Sequence, residues 1–203
     1  MTKLQLIFSI MNEIQGQVPT QDGLKTVHPQ DIAIEVAKAY DTIVSTFFAT
    51  PQASEGYDLD YFSKSYEERV KKSTAGQLYV TLPAKPLALA SGSGIRFVRP
   101  KDSEVLISRI SEAEFMNLRH LEAFCCSPVP FCYIDNDGQK IVLQGNRTEY
   151  SLLDYIVIKM VPKFTELGDD DEINTPGGDY PLSHMVLQIM GQRPTDNSND
   201  DFK

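Results

Sequence analysis

The spacing of apolar residues changes twice along the chain, and this change constrains the fold more than any other feature. Residues 1–72 repeat apolar side chains every three to four positions, as amphipathic helices do. Residues 73–162 contain short runs of β-branched and aromatic residues that end at turns or prolines. Residues 163–203 hold an acidic loop, one short amphipathic segment and a polar tail. The sequence therefore predicts an α+β protein: N-terminal helices packed with a mostly antiparallel β-sheet domain, a short C-terminal helix and an extended polar tail.

The N-terminal segment predicts an amphipathic helix that ends near Gly16. Gln5, Asn12 and Glu13 interrupt its apolar stretch, and no small-residue cleavage site follows, so a secretory signal is not expected. Helical spacing places one set of apolar residues on the expected inward side: Leu4, Phe8 and Met11, with Ile7 and Ile14 beside them.

A longer second helix is predicted from Pro29, because proline suits the first helical position. Asp31 lies near the positive end of that helix. The helix should end before Pro51, because a residue that precedes proline disfavours helical dihedral angles. A further short helical segment is expected between residues 58 and 65. The expected inward stripe of the second helix is Ile32, Val36, Tyr40 (or Ala39), Ile43 and Phe47.

The middle region predicts strands at residues 77–82, 95–98, 105–107, 131–135, 140–143 and 154–159. Asp137 and Gly138 lie between the fourth and fifth of these, and Asp-Gly between two β runs indicates a hairpin. Ser111 and Glu114 have capping-box spacing, which predicts a helix over residues 112–121. The expected inward residues of that helix are Phe115, Leu118 and Leu121.

A last helix is expected from Tyr180 or Pro181 to Met190, where Gly191 provides a helix end. Its apolar residues at helical spacing are Leu182, Met185, Val186 and Ile189. The tail that follows is rich in Asn and Asp and is expected to be disordered when the chain is alone.

Composition excludes several classes of protein. The formal net charge of −9 and the pI of about 4.8 weigh against direct nucleic-acid binding, which depends on Lys and Arg at phosphates. No apolar run approaches the roughly 20 residues that span a bilayer. The three cysteines, Cys125, Cys126 and Cys132, are odd in number and clustered, which indicates free thiols rather than a secreted disulfide framework.

Motifs that resemble nucleotide and calcium sites fail on their spacing. Gly92 and Gly94 precede a strand rather than a helix, so a flexible connection between strands is predicted instead of a phosphate loop. The Asp135–Gly138 segment can be aligned with a calcium loop, but that alignment puts Tyr133 first and Gln144 last, where acidic ligands are needed. A hairpin turn explains this segment better.

Metal and catalytic sites are not expected either. His120 and the three cysteines do not have zinc-finger spacing. Residues 169–172 are all acidic, and hard divalent cations bind carboxylate oxygens, but adjacent carboxylates rarely converge without ligands from elsewhere, so a solvated loop is expected. If this loop has a function, contact with a basic partner surface is favoured over chemistry. The other histidines, His28 and His184, accompany no Gly-x-Ser-x-Gly nucleophile elbow. We therefore expect no metal, no cofactor and no enzymatic activity.

Three blocks within residues 77–201 carry a resemblance to a class of phage proteins. The first runs from Leu78-Tyr79-Val80-Thr81-Leu82-Pro83 to Gly94-Ile95-Arg96, and the second is Pro128-Val129-Pro130-Phe131 through Asn136. The third runs from Asp169-Asp170-Asp171-Glu172 through Leu187-Gln188-Ile189-Met190 into the Asn- and Asp-rich end. In this order, after a helical N-terminus, the blocks resemble the small ring or adaptor proteins in the neck of crAss-like, short-tailed bacteriophages.

The resemblance implies a structural role in the virion. It implies a head-to-tail connector that is made in the host cytoplasm and assembles into a closed, twelve-fold ring beneath the portal protein. Its partners would be other copies of itself, the portal and neighbouring neck or tail proteins. DNA would pass through the ring without specific binding during ejection, and no membrane would be involved. The isolated chain is expected to be a monomer, because such a ring needs the portal as its template.

The last helix and the tail are the predicted docking elements of such a subunit. A Met-rich helix face adapts well to a partner surface, and a polar tail can become ordered when it binds. The residues predicted to form this interface are Met185, Gln188, Ile189, Met190, Arg193, Asp196 and Asn199.

Two other classes remain open on the sequence alone. One is a scaffold or binding module that acts outside the virion. The other is a small carboxylate-dependent hydrolase, which would require Asp135, Asp137 or Asp154 to converge with residues 169–172 in one pocket.

Overall fold

The computed structural model describes residues 1–17, 29–49, 59–89, 92–118, 120–121, 131–135, 138–144, 153–175 and 180–189. This part of the chain contains both helices and mostly antiparallel strands, which confirms the α+β class and the short C-terminal helix. The chain divides into two compact units. The helical unit is Met1–Tyr61, Leu89–Ser91 and Lys163–Lys203, and the β unit is Phe62–Ala88 and Gly92–Pro162. The predicted polar tail lies outside the described residues.

The described helices are α1 (Lys3–Gln17), α2 (Pro29–Ala49), α3 (Glu112–Leu118) and α4 (Tyr180–Ile189), with 3-10 helices at Leu59–Phe62 and Phe164–Glu166. In the helical unit, α2 packs on both α1 and α4. It begins and ends where its flanking prolines predicted. Ile43 and Phe47 are only half-buried, and the fully buried residues of α2 are Ile32, Val36, Ala37, Ala39, Tyr40 and Val44.

α1 buries a different side from the predicted one. Leu6 and Ile10 are 1% and 2% exposed, whereas Leu4 and Phe8 are 42% and 52% exposed. The helix is apolar on two sides, and helical spacing alone cannot decide which of them faces the core. The tertiary contacts of the first turn decide it, because the backbone N–H groups of Lys3 and Leu4 donate to carbonyls of the acidic loop.

Because Leu6 is buried and Leu4 is exposed, replacing each of them with alanine should change the free energy of unfolding by different amounts. Leu6→Ala should lower the free energy of unfolding by about 2 kcal/mol, because it leaves a cavity in the core. Leu4→Ala should change it by less than about 0.5 kcal/mol, because its side chain is largely in solvent. Urea unfolding followed by far-ultraviolet circular dichroism measures both variants. Equal losses, or a larger loss for Leu4→Ala, would show that the other side of α1 is buried.

The β unit is built mainly from two sheets. Its three-stranded antiparallel sheet has the order β1 (Lys64–Arg69), β10 (Tyr155–Met160), β6 (Ile95–Pro100). Its five-stranded sheet has the order β2 (Lys71–Lys72), β3 (Leu78–Thr81), β9 (Lys140–Gln144), β8 (Phe131–Ile134), β7 (Ser108–Arg109), and only its β7–β8 pair is parallel. The two remaining described strands, β4 (Ala88–Leu89) and β5 (Gly92–Ser93), pair with each other as a separate two-stranded sheet.

A shared core lies between the two larger sheets. At one side, β1 continues through Val70 into β2, and the Val70 N–H donates to the Asp154 carbonyl at 2.9 Å. At the other side, the Ile107 N–H donates to the Val98 carbonyl at 2.8 Å, next to the start of β7. Backbone links therefore join the sheets along both sides. The buried residues of the core are Val80, Ala84, Ile95, Val98, Ile107, Cys132, Ile141, Leu143, Ile156, Ile158 and Met160.

Two sequence-based expectations about strands are wrong. Residues 64–72 form β1 and β2 rather than part of a helical region, although a 3-10 helix does occupy Leu59–Phe62. These strands are mostly charged and lie at the edges of their sheets, so they lack the apolar alternation by which strands are recognised. The predicted strand at residues 105–107 is not formed. Val105 and Leu106 are exposed, and only Ile107 is buried in the core.

The local turn and cap signals are confirmed. The Ser111 N–H donates to Glu114 Oε2 at 2.8 Å, and the Glu114 N–H donates to Ser111 Oγ at 3.1 Å, which completes the capping box of α3. Phe115 is buried and stacks on Tyr133 with ring centroids 4.7 Å apart. α3 ends at Leu118, however, and Leu121 is exposed rather than inward.

The predicted hairpin is formed by β8 and β9. Gly138 has a φ of +64°, a conformation that glycine adopts without steric cost. The Asp135 carboxylate accepts the backbone N–H groups of Gln139 and Lys140 at 3.1 Å each. This carboxylate therefore holds the turn.

Gly94 lies where three segments of the β unit meet. Its N–H donates to the Leu87 carbonyl at 2.7 Å, and its own carbonyl accepts the Val161 N–H at 2.9 Å. The Leu87 N–H donates to the Val161 carbonyl at 2.8 Å, which closes a ring of three backbone hydrogen bonds. Residues 92–94 are thus tightly bonded, and the prediction of a flexible connection at this position is wrong.

Candidate interaction surfaces

The predicted interface residues are only partly within the described chain. Leu182 and Val186 of α4 are buried, and α4 packs on α2. Met185 is half-buried, whereas Gln188 is exposed. Gln188 Nε2 lies 3.1 Å from His184 Nε2. Ile189 belongs to α4, but its side chain is not described, and Met190, Arg193, Asp196 and Asn199 lie outside the described residues.

The acidic loop is a docking site for the start of α1 within the helical unit. The N–H groups of Lys3 and Leu4 donate to the carbonyls of Asp171 and Asp169 at 3.0 and 3.1 Å. Lys3 Nζ donates to the Leu167 carbonyl at 2.6 Å and lies 3.9 Å from Asp169 Oδ1. The first N–H groups of a helix have no partner within the helix, so the loop supplies carbonyl acceptors next to the positive helix end.

A second set of bonds closes the N-terminus of α1. The Thr2 N–H donates to Gln5 Oε1 at 3.0 Å, and the Gln5 N–H donates to Thr2 Oγ1 at 3.3 Å. This is a Thr-x-x-Gln capping box, and its spacing is visible in the sequence although it was not among the predicted signals. The predicted solvated loop is therefore only partly correct. Asp169, Asp170 and Glu172 are exposed, but the loop backbone is bonded to α1.

Two neighbouring residues of α2 hold the chain on either side of this loop. The Tyr40 hydroxyl donates to the Asn174 carbonyl at 3.0 Å, and the Tyr40 ring lies 4.9 Å from the Phe164 ring. Asp41 Oδ1 accepts the Phe164 N–H at 2.9 Å. Burial raises the pKa of the Asp41 carboxyl, and this effect outweighs the opposing effects of the Phe164 N–H and of the Lys163 ammonium.

The raised pKa of Asp41 predicts a pH-dependent cost that asparagine would remove. Below its ordinary value of 3.8, Asp41 is neutral in both the folded and the unfolded chain. As the pH rises through the raised pKa, the unfolded chain releases its proton first, so folding loses stability until the folded chain has ionised as well. Asp41→Asn should therefore be more stable than the wild type at pH 7, with a smaller advantage at pH 4.

Urea unfolding at both pH values measures this difference. Asp170→Asn, at an exposed carboxylate, is the matched control for the loss of one negative charge and should change the free energy of unfolding at pH 7 by less than about 0.5 kcal/mol. If Asp41→Asn were less stable than the wild type at pH 7, the charge of Asp41 would be favourable and the direction of its pKa shift would be wrong.

The described residues provide little for metal or nucleophilic chemistry. Cys132 faces the core of the β unit, and burial raises the pKa of its thiol to about 12, so it remains protonated near neutral pH. His120 is exposed. Among the residues that the structure describes, no three His, Cys, Asp or Glu side chains are grouped so that they could hold a metal ion. Cys125, Cys126, His28 and Asp137 lie outside those residues.

Both units expose large apolar side chains. In the helical unit, Leu4 and Phe8 are one helical turn apart and form an apolar stripe on the outer side of α1, next to Met1. In the β unit, the exposed apolar residues are Val105, Leu106, Met116, Leu121 and Tyr155. None of the helices in the described ranges is long and apolar enough to cross a bilayer. Exposed apolar stripes of this kind often mark protein interfaces.

The fold and these surfaces define an α+β protein with an acidic helical unit and a β unit built mainly from two sheets. No protein-family model matches the chain, and no curated protein matches it.

Proposed function

We propose that the chain is a structural subunit of a phage neck ring that connects the portal to the tail and lines the passage for DNA. The proposal starts from the resemblance of three blocks within residues 77–201 to ring or adaptor proteins of crAss-like phages. It treats the chain as a non-enzymatic virion component that acts through contacts with other proteins.

The exposed stripe of α1 is the structural observation that carries the proposal. A helix that is apolar on two sides normally buries both, one inside its own domain and one against a partner. Leu6 and Ile10 occupy the inner side, and Leu4 and Phe8 remain on the outer side. A subunit that is completed only by assembly would have this arrangement.

Charge is compatible with a passage for DNA. The chain has a net charge of −9, and an acidic wall repels DNA phosphates, so DNA can move along it without being held. Portal-matched rings close by head-to-tail contacts, in which two different surfaces of each subunit meet.

Quantitative mass spectrometry of purified virions from the encoding phage tests the proposal. Copies of this chain would be counted against the portal protein, with the major capsid protein as an internal standard. We expect a one-to-one ratio to the portal. Absence from the particle would remove the connector role and favour a scaffold or binding module that acts in the infected cell.

The state of the isolated chain is a separate expectation. Without the portal as a template, the purified chain should sediment mainly as a monomer at micromolar concentration. A stable closed ring in isolation would contradict the need for a template, although it would leave the virion role intact.

A further inference from the structure

The net negative charge of the chain comes from one of its two units. The helical unit has 6 Lys and Arg against 17 Asp and Glu, a net charge of −11. The β unit has 13 Lys and Arg against 11 Asp and Glu, a net charge of +2. The overall value of −9 therefore conceals two surfaces of opposite character.

The outward side of the three-stranded sheet concentrates positive charge. Alternate residues of β10 are buried in the core, so the residues between them face away from it. Strand pairing places Lys159 opposite Phe97, Val157 opposite Arg99, and Tyr155 opposite Arg69. We call this surface the basic sheet face, and it consists of Arg69, Phe97, Arg99, Lys101, Tyr155, Val157 and Lys159, with Glu67 on β1 and Asp102 beside Lys101 as its anions.

Aromatic rings and backbone carbonyls hold several of these cations in place. Lys159 Nζ lies 5.9 Å from the Phe97 ring centroid, and Lys101 Nζ lies 5.4 Å from that of Tyr155. Lys101 also forms an ion pair with Glu67 at 2.6 Å. Arg99 Nη1 donates to the Ser103 carbonyl at 3.0 Å, which keeps its charge beside the sheet. Cations that are held in this way lose less side-chain entropy when a partner binds.

We propose that the basic sheet face of one copy binds the acidic helical unit of a second copy. The inference rests on the proposed ring, because it supplies the two different surfaces that a head-to-tail contact requires. The sheet face has four cations against two anions, whereas the helical unit has a net charge of −11, so their charges are complementary.

A second copy fits this face better than nucleic acid does. DNA or RNA that approached the face would also meet the field of a chain with a net charge of −9. Two copies of the chain repel each other at long range as well, but salt screens that repulsion beyond about 8 Å at physiological ionic strength. At contact distance the local pairing of opposite charges dominates, which suits a weak contact that the portal template reinforces.

Reciprocal charge reversal tests the contact in the full chain. The face variant carries Arg69→Glu and Lys159→Glu, and the acid variant carries Glu166→Lys and Asp170→Lys, which are exposed in the helical unit. Sedimentation velocity at high concentration and 0.15 M salt measures association. The wild type should associate weakly, and each variant alone should do so about ten-fold less.

An equimolar mixture of the two variants should regain wild-type association. The reversed face of one variant then meets the reversed acidic unit of the other, and both intact surfaces also find an intact partner. The matched control carries Lys85→Glu and Lys140→Glu, which change the charge of the β unit equally but lie outside the face. Circular dichroism should show all variants folded.

Carbodiimide cross-linking of a mixture of ¹⁴N- and ¹⁵N-labelled wild type locates the contact, because mixed-isotope peptides are intermolecular. We expect Lys101 or Lys159 to be joined to acidic residues of the helical unit. Loss of association in the control variant, failure of the mixture to recover, or a wild type without association and without mixed-isotope links would overturn the proposal. So would binding of labelled DNA that only the face variant loses, since nucleic acid would then be the occupant.

Failure of this contact and failure of the proposed function would give different results. Normal association of the face variant would refute this contact while virion copy number still supported a ring. Conversely, recovery in the mixture would establish the contact even if the chain were absent from virions.

Discussion

Gly94→Ala is expected to destabilise the β unit by about 3 kcal/mol, because no space exists for a methyl group at this position. A Cβ atom on Gly94 would lie 2.6 Å from the Leu87 carbonyl oxygen and 3.0 Å from the Val161 carbonyl oxygen. Both contacts are with backbone atoms, which cannot turn aside as the end of a long side chain can. These same carbonyls accept hydrogen bonds within the three-segment ring at Gly94, so relief of the clash would break that ring.

Urea unfolding measures the loss, and amide hydrogen exchange locates it. Faster exchange should appear at the Leu87, Gly94 and Val161 amides of the β unit, which form that ring. Gly168→Ala is the matched control, since a Cβ there would make only ordinary contacts of 3.5 Å or more with Asp171. We expect Gly168→Ala to lie within about 0.5 kcal/mol of the wild type. A Gly94→Ala chain as stable as this control would mean that the three segments are not packed as described.

Phe164→Ala is expected to cost the helical unit about 3 to 5 kcal/mol, the largest effect among the substitutions considered. Phe164 is fully buried, contacts the Tyr40 ring and lies 5.6 Å from the Lys3 ammonium. Its N–H donates to Asp41. The ring therefore joins α2 to the start of the segment that leads into the acidic loop, and its removal leaves a cavity at that junction.

Phe8→Ala is the matched control for Phe164→Ala, because it removes the same side chain from an exposed position. Phe8 is more than half exposed on the outer side of α1, so the same substitution should cost less than about 0.5 kcal/mol in the isolated chain. If the outer stripe of α1 is an assembly surface, Phe8→Ala would still reduce incorporation into particles. Equal destabilisation by both variants would show that Phe8 is buried in the isolated chain. Leu4 and Phe8 would then not form an exposed surface for assembly.

Signals that act over a few residues were read correctly from the sequence. Pro29 predicted the start of α2, Ser111 and Glu114 predicted the cap of α3, and Asp137-Gly138 predicted the β8–β9 hairpin. In each case the physical cause is local, whether a fixed dihedral angle, a hydrogen bond between residues three apart, or a turn that favours glycine. Buried strands such as β6 and β10 were also predicted, because burial requires an apolar pattern.

The candidate surfaces were only partly predictable. The acidic loop and the apolar face of α4 are evident in the chain, but Leu182 and Val186 prove to be used in packing against α2. The basic sheet face was not foreseen, because its residues come from three strands that lie far apart in sequence. A net charge of −9, averaged over the whole chain, concealed it.

Composition and neighbouring residues along the chain were enough to predict the α+β class, the main helices and the hairpin. Contacts between elements determine which side of α1 is buried, that residues 64–72 pair as edge strands, and that Gly94 lies within a ring of backbone bonds. They also determine where charge collects, because strand pairing brings Arg69, Arg99 and Lys159 onto one face. All of these features depend on contacts between residues that are distant in sequence. The spacing of apolar or charged residues along an element does not show which of its sides another element will cover.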